Sequence, residues 1–206
     1  MDNLFYCTLI LTYILLTCAV ICTLVKYKMV KNEKWYIYYI IFIFCIEFIS
    51  YIISYAEVKS TVFLYPIYIA GEFFIVTGIF IKKLKLSKYS FIVTGLLGLF
   101  FLTADRIFLK YQYNNDYSKA VSNLIMICVI GYSLIQYIKN IKYQNTFQSI
   151  DKMYFFYFTV SIFIFLFQQQ LLEFPIDYFS FFWIANNLMV CILYFLFIKT
   201  FLQLKK

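Results

Sequence analysis

Two glutamates, Glu47 and Glu72, each lie near the middle of an unbroken apolar run of roughly 20 residues. A carboxyl group at that depth in hydrocarbon is costly in its ionised form. One that is kept there can carry a proton, or can bind a cation or a hydrogen-bond donor. Helical spacing gives each carboxyl hydroxyl partners on its own face: Ser50, Tyr51 and Ser54 share a stripe with Glu47, and Tyr65 and Tyr68 share one with Glu72. Counted from the ends of their runs, Glu47 is about 12 residues or ~18 Å deep and Glu72 about 11 residues or ~17 Å deep, both near a bilayer midplane.

Other polar residues gather on one side of the apolar runs. Asp105 and Arg106 close the fourth run, Ser122 and Asn123 open the fifth, Gln168, Gln169, Gln170 and Glu173 close the sixth, and Trp183, Asn186 and Asn187 come early in the seventh. This pattern predicts a water-accessible vestibule lined by Arg106, Asn123, Gln168, Asn186 and Asn187, with Glu72 and Glu47 at its floor. Ligand sites between bundle helices have this form, with aromatic walls and a few convergent polar groups. The competing role for the amides is interhelical hydrogen bonding. Arg106, nearer the surface than either glutamate, is expected to pair locally with Asp105 or Glu173. The other half of the bundle is expected to be comparatively dry.

The elements that must position these residues are seven transmembrane helices, at Leu4–Val25, Trp35–Ala56, Thr61–Ile81, Tyr89–Leu109, Ala120–Ile138, Met153–Phe174 and Tyr178–Ile198. Each matches the ~20 residues that hydrocarbon of about 30 Å requires. Of the residues, 64% are hydrophobic and 14% charged, and mean hydropathy is +0.82, which together exclude an ordinary soluble domain. The chain therefore reads as an all-α polytopic integral membrane protein, a single seven-helix transmembrane domain over residues 1–206. With 5 glycines and 2 prolines, its helices should be continuous and bulky. Gly71, Gly78, Gly95, Gly98 and Gly131 are expected close-packing points, and Trp35, Tyr36, Tyr89 and Tyr178 an interfacial belt. The Met-Asp-Asn start and the length of the first run favour a retained helix over a cleaved signal peptide.

Orientation follows from the basic residues. Lys26, Lys28, Lys31, Lys34, Lys82, Lys83, Lys85, Lys88, Lys139, Lys142, Lys152, Lys199, Lys205 and Lys206, 14 in all, fall on one side, against Lys59, Lys110, Lys119 and Arg106 on the other. The N-terminus is therefore expected outside and the C-terminus in the cytoplasm, with the plasma membrane as the location. The net charge of +8 is explained by topology and contact with anionic headgroups, so no nucleic-acid partner is expected.

The chain has no histidine, which removes Ser-His and Cys-His nucleophile pairs, histidine-containing zinc sites and histidine-ligated haem. Cys7, Cys18, Cys22, Cys45, Cys128 and Cys191 lie within the predicted spans without a CxxC spacing, and read as buried apolar thiols. No metal or cofactor is expected. Seven helices with this orientation look like the layout of microbial rhodopsins, but the retinal-bearing lysine expected in mid-helix is missing, since Lys199 stands at the end of the last run. The layout also resembles that of PQ-loop sugar transporters, yet Pro66-Ile67 and Pro175-Ile176 do not match their Pro-Gln pairs. No family is assigned.

Three functions fit. The first is a transporter of a small solute or protons using Glu47 and Glu72. The second is a sensing or accessory subunit that binds a small molecule and acts on a cytoplasmic or membrane protein partner. The third is an intramembrane lipid-modifying enzyme with the glutamates as acid and base.

Overall fold

The structure, a computed structural model, describes residues 2–30, 33–56, 62–108, 114–139, 146–173 and 175–204. The expected span ends Thr61, Leu109 and Phe174, and Lys31, Lys59, Lys110, Lys142, Lys205 and Lys206, lie outside the described residues, as do the side chains of Gln169 and Asp177. The described residues form α1 (Asp2–Val25), α2 (Lys34–Tyr55), α3 (Leu64–Lys83), α4 (Lys88–Ile107), α5 (Asn115–Lys139), α6 (Gln148–Leu166), α7 (Gln168–Glu173) and α8 (Ile176–Gln203), with one 3-10 turn at Tyr27–Met29. All except α7 contain a stretch long and apolar enough to cross a membrane, seven in total. Helices are the expected outcome for such runs, because in hydrocarbon each backbone N–H and C=O must be satisfied within the segment.

Local chemistry sets several of the ends. Ser87 caps α4 by accepting from the Tyr89 N–H at 3.4 Å. Pro175 precedes α8, and its carbonyl accepts from the Tyr178 N–H at 2.9 Å. The end of α3 is closed by Leu86 N–H donating to the Ile81 carbonyl at 3.0 Å, with Lys85 in the left-handed region at φ 52°.

Packing follows a closed circuit. In turn, α1 packs on α2, α2 on α3, α3 on α5, α5 on α6, α6 on α8, and α8 back on α1. α4 stands outside this ring, against α3 and more lightly against α5. The chemistry is turned inside out relative to a soluble domain. Ile10, Ile14 and Ile21 of α1, Phe48 and Ile52 of α2, and Ile92, Leu96 and Leu99 of α4 are exposed, while Glu72, Lys119 and Asp151 are buried. A continuous apolar exterior of this kind is a liability in water and the normal state against lipid. Cys7, Cys18, Cys45 and Cys128 lie on that exterior rather than in the core expected for them, and Cys191 alone is buried.

The helix limits depart from the expected spans at two places that matter for the site. α5 begins at Asn115, five residues before Ala120, and so carries Lys119 inside the helix. The sixth span is not one helix: it bends at Phe167 and resumes as α7, while its start moves back to Gln148 and takes in Asp151. Nothing in the sequence around Phe167 enforces the bend. Tyr36 is also misplaced by the belt reading. It is fully buried, whereas Tyr89 and Tyr178 are exposed.

Two glycines of α3 form the seam with α2. A β-carbon on Gly71 would come within 2.2 Å of the Phe42 ring, and one on Gly78 within 2.7 Å of the Trp35 ring, so each glycine is a socket for an aromatic side chain. By contrast, the nearest atom to a β-carbon on Gly95 is 3.9 Å away, on Phe74. Gly71→Val should lower the detergent melting temperature, at a cost of about 1–3 kcal/mol for overpacking. Gly95→Ala should leave it unchanged or raise it slightly. Thermal unfolding followed by size-exclusion fluorescence measures both.

Candidate functional site

α1, α3, α5 and α8 begin at one end of the bundle, where α2, α4 and α6 finish. At this end the ring opens into a cavity of about 540 Å³. Phe5, Leu9 and Thr12 of α1 face α2 residues Tyr39, Ile43, Ile46, Glu47 and Ser50 across it. Leu64, Tyr65 and Tyr68 come from α3, Asp116 from α5, and Tyr157 and Phe165 from α6. Gln168 comes from α7, while Trp183, Asn186, Asn187, Val190 and Tyr194 come from α8. The wall is aromatic, with charge supplied only by Glu47 and Asp116 among the described lining residues. Three buried polar atoms on this wall have no hydrogen-bond partner among the described residues: Gln168 Oε1, Trp183 Nε1 and Asn186 Oδ1. Such atoms are costly to leave unpaired in an apolar setting.

Of the residues singled out from the sequence, Glu47, Gln168, Asn186 and Asn187 are brought together on this cavity. Glu47 is half-buried on α2. The Asn187 amide reaches the Thr8 hydroxyl at 3.5 Å. Glu72 sits behind the wall, fully buried, and two wall tyrosines donate to its Oε1: Tyr68 at 3.0 Å and Tyr39 at 3.5 Å. Asn123 lies outside the cavity lining, where its amide donates to Ser161 Oγ at 3.0 Å between α5 and α6. Arg106 is exposed at the end of α4, the helix excluded from the ring, and does not join the lining.

Lys119 is the residue that sequence reasoning misjudged. Taken as an outward loop charge, it is instead buried at 1% exposure and donates to Glu72 Oε2, joining α5 to α3. Its ammonium also lies 3.4 Å from the Tyr68 hydroxyl and 4.4 Å from the centre of that ring. The Tyr68 hydroxyl in turn is 3.5 Å from that of Tyr157. At the rim, Tyr65 donates to Asp116 at 3.2 Å, and Asn114 donates to the same carboxylate at 2.6 Å.

The opposite, lysine-rich end holds a polar cluster of its own. Lys83 of α3 donates to Asp151 Oδ2 of α6 at 2.5 Å, Tyr36 of α2 donates to Oδ1, and Lys83 also donates to the Tyr36 hydroxyl. Lys83 and Asp151 are 4% and 0% exposed, which makes this a second interior ion pair rather than a solvated loop contact. Between it and the cavity lie stacked rings. Tyr36 stacks on Phe147 with centres 4.6 Å apart, and Tyr154 meets Tyr39 edge-on at 5.1 Å. Phe197 fills the gap, packing against Tyr36, Tyr39 and Tyr154. The ring is therefore open at one end and sealed at the other by aromatic layers and a bridged Lys–Asp–Tyr cluster.

No protein-family model matches this chain, no curated protein matches its sequence, and no solved structure matches its fold. Function has to be argued from the geometry.

Solvent access separates the two sets of amides. With all six native cysteines replaced by alanine, Gln168→Cys and Asn187→Cys should react with a hydrophilic maleimide in detergent, and Asn123→Cys should not. Equal labelling at all three positions would mean that the cavity does not end where these contacts place it.

Proposed function

We propose that the protein is a membrane transporter for a small solute, described in a state with its binding cavity open at one end. The observation that carries this reading is the pairing of an open, partly unsatisfied polar cavity with a sealed opposite end along the same helix ring. Transporters place substrate between helices and alternate access by opening one side while closing the other. In this reading the Tyr36–Lys83–Asp151 cluster is the closed gate, since α2, α3 and α6 could separate there only by breaking it. Glu47 contacts the solute, and Glu72, reached through Tyr39 and Tyr68, senses its arrival by exchanging hydrogen bonds.

The lysine-rich end is assigned to the cytoplasm and the cavity to the outside of the plasma membrane, by the excess of basic residues in the inner connectors. Burial of Lys119 and Lys83 removes one residue from each side of that comparison and leaves its direction unchanged. A lipid-modifying enzyme gains less support, because Glu72 is held by Lys119 and two phenols and does not line the cavity. The same cavity would serve a ligand-sensing subunit if no solute crosses.

Flux decides between these two. In proteoliposomes loaded with a pH dye and offered a panel of amines, amino acids and sugars, at least one solute should enter, and Glu47→Gln should reduce its uptake at least tenfold. Asp151→Asn should leave solute binding intact while changing the rate. A protein that binds a solute from the panel yet moves none would refute transport in favour of sensing.

A further inference from the structure

We infer that the cavity is built for a small organic ammonium ion with an apolar body. This rests on the reading of the cavity as a ligand site. Charge is the first argument. Glu47 and Asp116 are the only charged side chains among the described lining residues, and the two salt bridges among the described residues engage neither. The pair behind the wall, Glu72 with Lys119, cancels its own charge. A wall rich in apolar groups that holds two carboxylates and, among the described residues, no cation favours a positively charged occupant, and the low-dielectric wall strengthens that preference.

Aromatic content is the second argument. Eight of the 20 lining residues are Phe, Tyr or Trp. Aromatic faces attract cations, and more so when both partners are shielded from water. The protein already uses this chemistry with an ammonium group of its own. Lys119 Nζ sits 4.4 Å from the centre of the Tyr68 ring and 5.9 Å from that of Phe165, beside Glu72. Both of these rings also line the cavity. A ligand ammonium would meet the same kind of environment, with Glu47 or Asp116 in the place that Glu72 takes for Lys119.

Orphan atoms are the third. Two of the three orphan atoms on the wall, Gln168 Oε1 and Asn186 Oδ1, are buried acceptors without a donor among the described residues, which a ligand that brings N–H groups would satisfy. The third, Trp183 Nε1, is a donor that needs an acceptor elsewhere on the ligand. A primary ammonium satisfies the two acceptors, and a carboxylate or phosphate does not. The remaining wall, with Leu9, Ile43, Ile46 and Val190, is aliphatic and suits a hydrocarbon or aryl body. A volume of about 540 Å³ admits a molecule of that size.

The test uses three molecules of matched shape: 2-phenylethylammonium, 2-phenylethanol and 3-phenylpropionate. Each is titrated into the purified full-length protein in detergent, with calorimetry and thermal shift as readouts. The ammonium should bind and raise the melting temperature, with an affinity at least tenfold above that of the alcohol, and the carboxylate should not bind. Glu47→Gln should weaken ammonium binding at least tenfold while melting as the parent protein does. Asp116→Asn provides the same comparison should Glu47→Gln fail to fold. Equal binding of ammonium and alcohol, preference for the carboxylate, or no ammonium binding at millimolar concentration would overturn the inference. Ammonium binding without flux would remove the transport reading and leave this one standing, whereas flux of a sugar or an anion would do the reverse.

Discussion

Four of the six ring helices, α2, α3, α5 and α6, meet at one pair of side chains, Glu72 of α3 and Lys119 of α5, both fully enclosed. A carboxylate and an ammonium taken out of water each lose several kcal/mol of solvation, which only close pairing and added hydrogen bonds restore. Here those additions come from α2 and α3, through the Tyr39 and Tyr68 hydroxyls. Tyr68 then approaches Tyr157 of α6. One ion pair therefore sets the relative height and rotation of α2, α3, α5 and α6. Apolar packing against lipid could not do so, because hydrocarbon offers no directional preference among bulky aliphatic faces.

A second constraint of the same kind sits at the lysine-rich end. Lys83, Asp151 and Tyr36 tie α3, α6 and α2 together, with rings of Phe147, Tyr154 and Phe197 layered above them. Helices clamped at two heights leave room on the side of the Glu72–Lys119 clamp away from the Lys83–Asp151 cluster, in the space bounded by α1, α8 and the facing turns of α2 and α3. The cavity occurs there. Its polar groups are of two sorts: those that complete the upper clamp, and those, such as Gln168 and Asn186, that have nothing to complete. The second sort is left unpaired, among the described residues, on the cavity wall.

Much of this was legible from residue order. Hydropathy located the seven spans, because a bilayer-length apolar run has few other uses. Depth counting put Glu47 near the midplane, and residue order put Gln168, Asn186 and Asn187 in one half of the spans above it; the four residues line one cavity. The failures share a cause. Hydropathy truncates a helix at its first charge, so Lys119 and Asp151 were assigned to connectors and their partners went unseen. A face count beginning one residue earlier, at Lys119, reveals the signal in α5. Lys119, Ser122, Asn123 and Met126 fall on one stripe, and all four are buried. The same holds in α6 for Asp151, Tyr154, Phe158 and Ser161. Depth counting puts Arg106 near the end of α4, where it lies, but no one-dimensional pattern states that α4 stands outside the ring, so its place in the cavity lining could not be judged.

The central claim is that Glu72 and Lys119 act as one unit that organises the bundle, and a double-mutant cycle tests it most directly. Unfolding free energies in detergent are compared for the parent protein, Glu72→Met, Lys119→Met and the double variant. Each single change should cost about 3–5 kcal/mol, since it strands a charge in the interior, and the double variant should recover most of that loss. Single costs that simply add in the double variant would contradict the account.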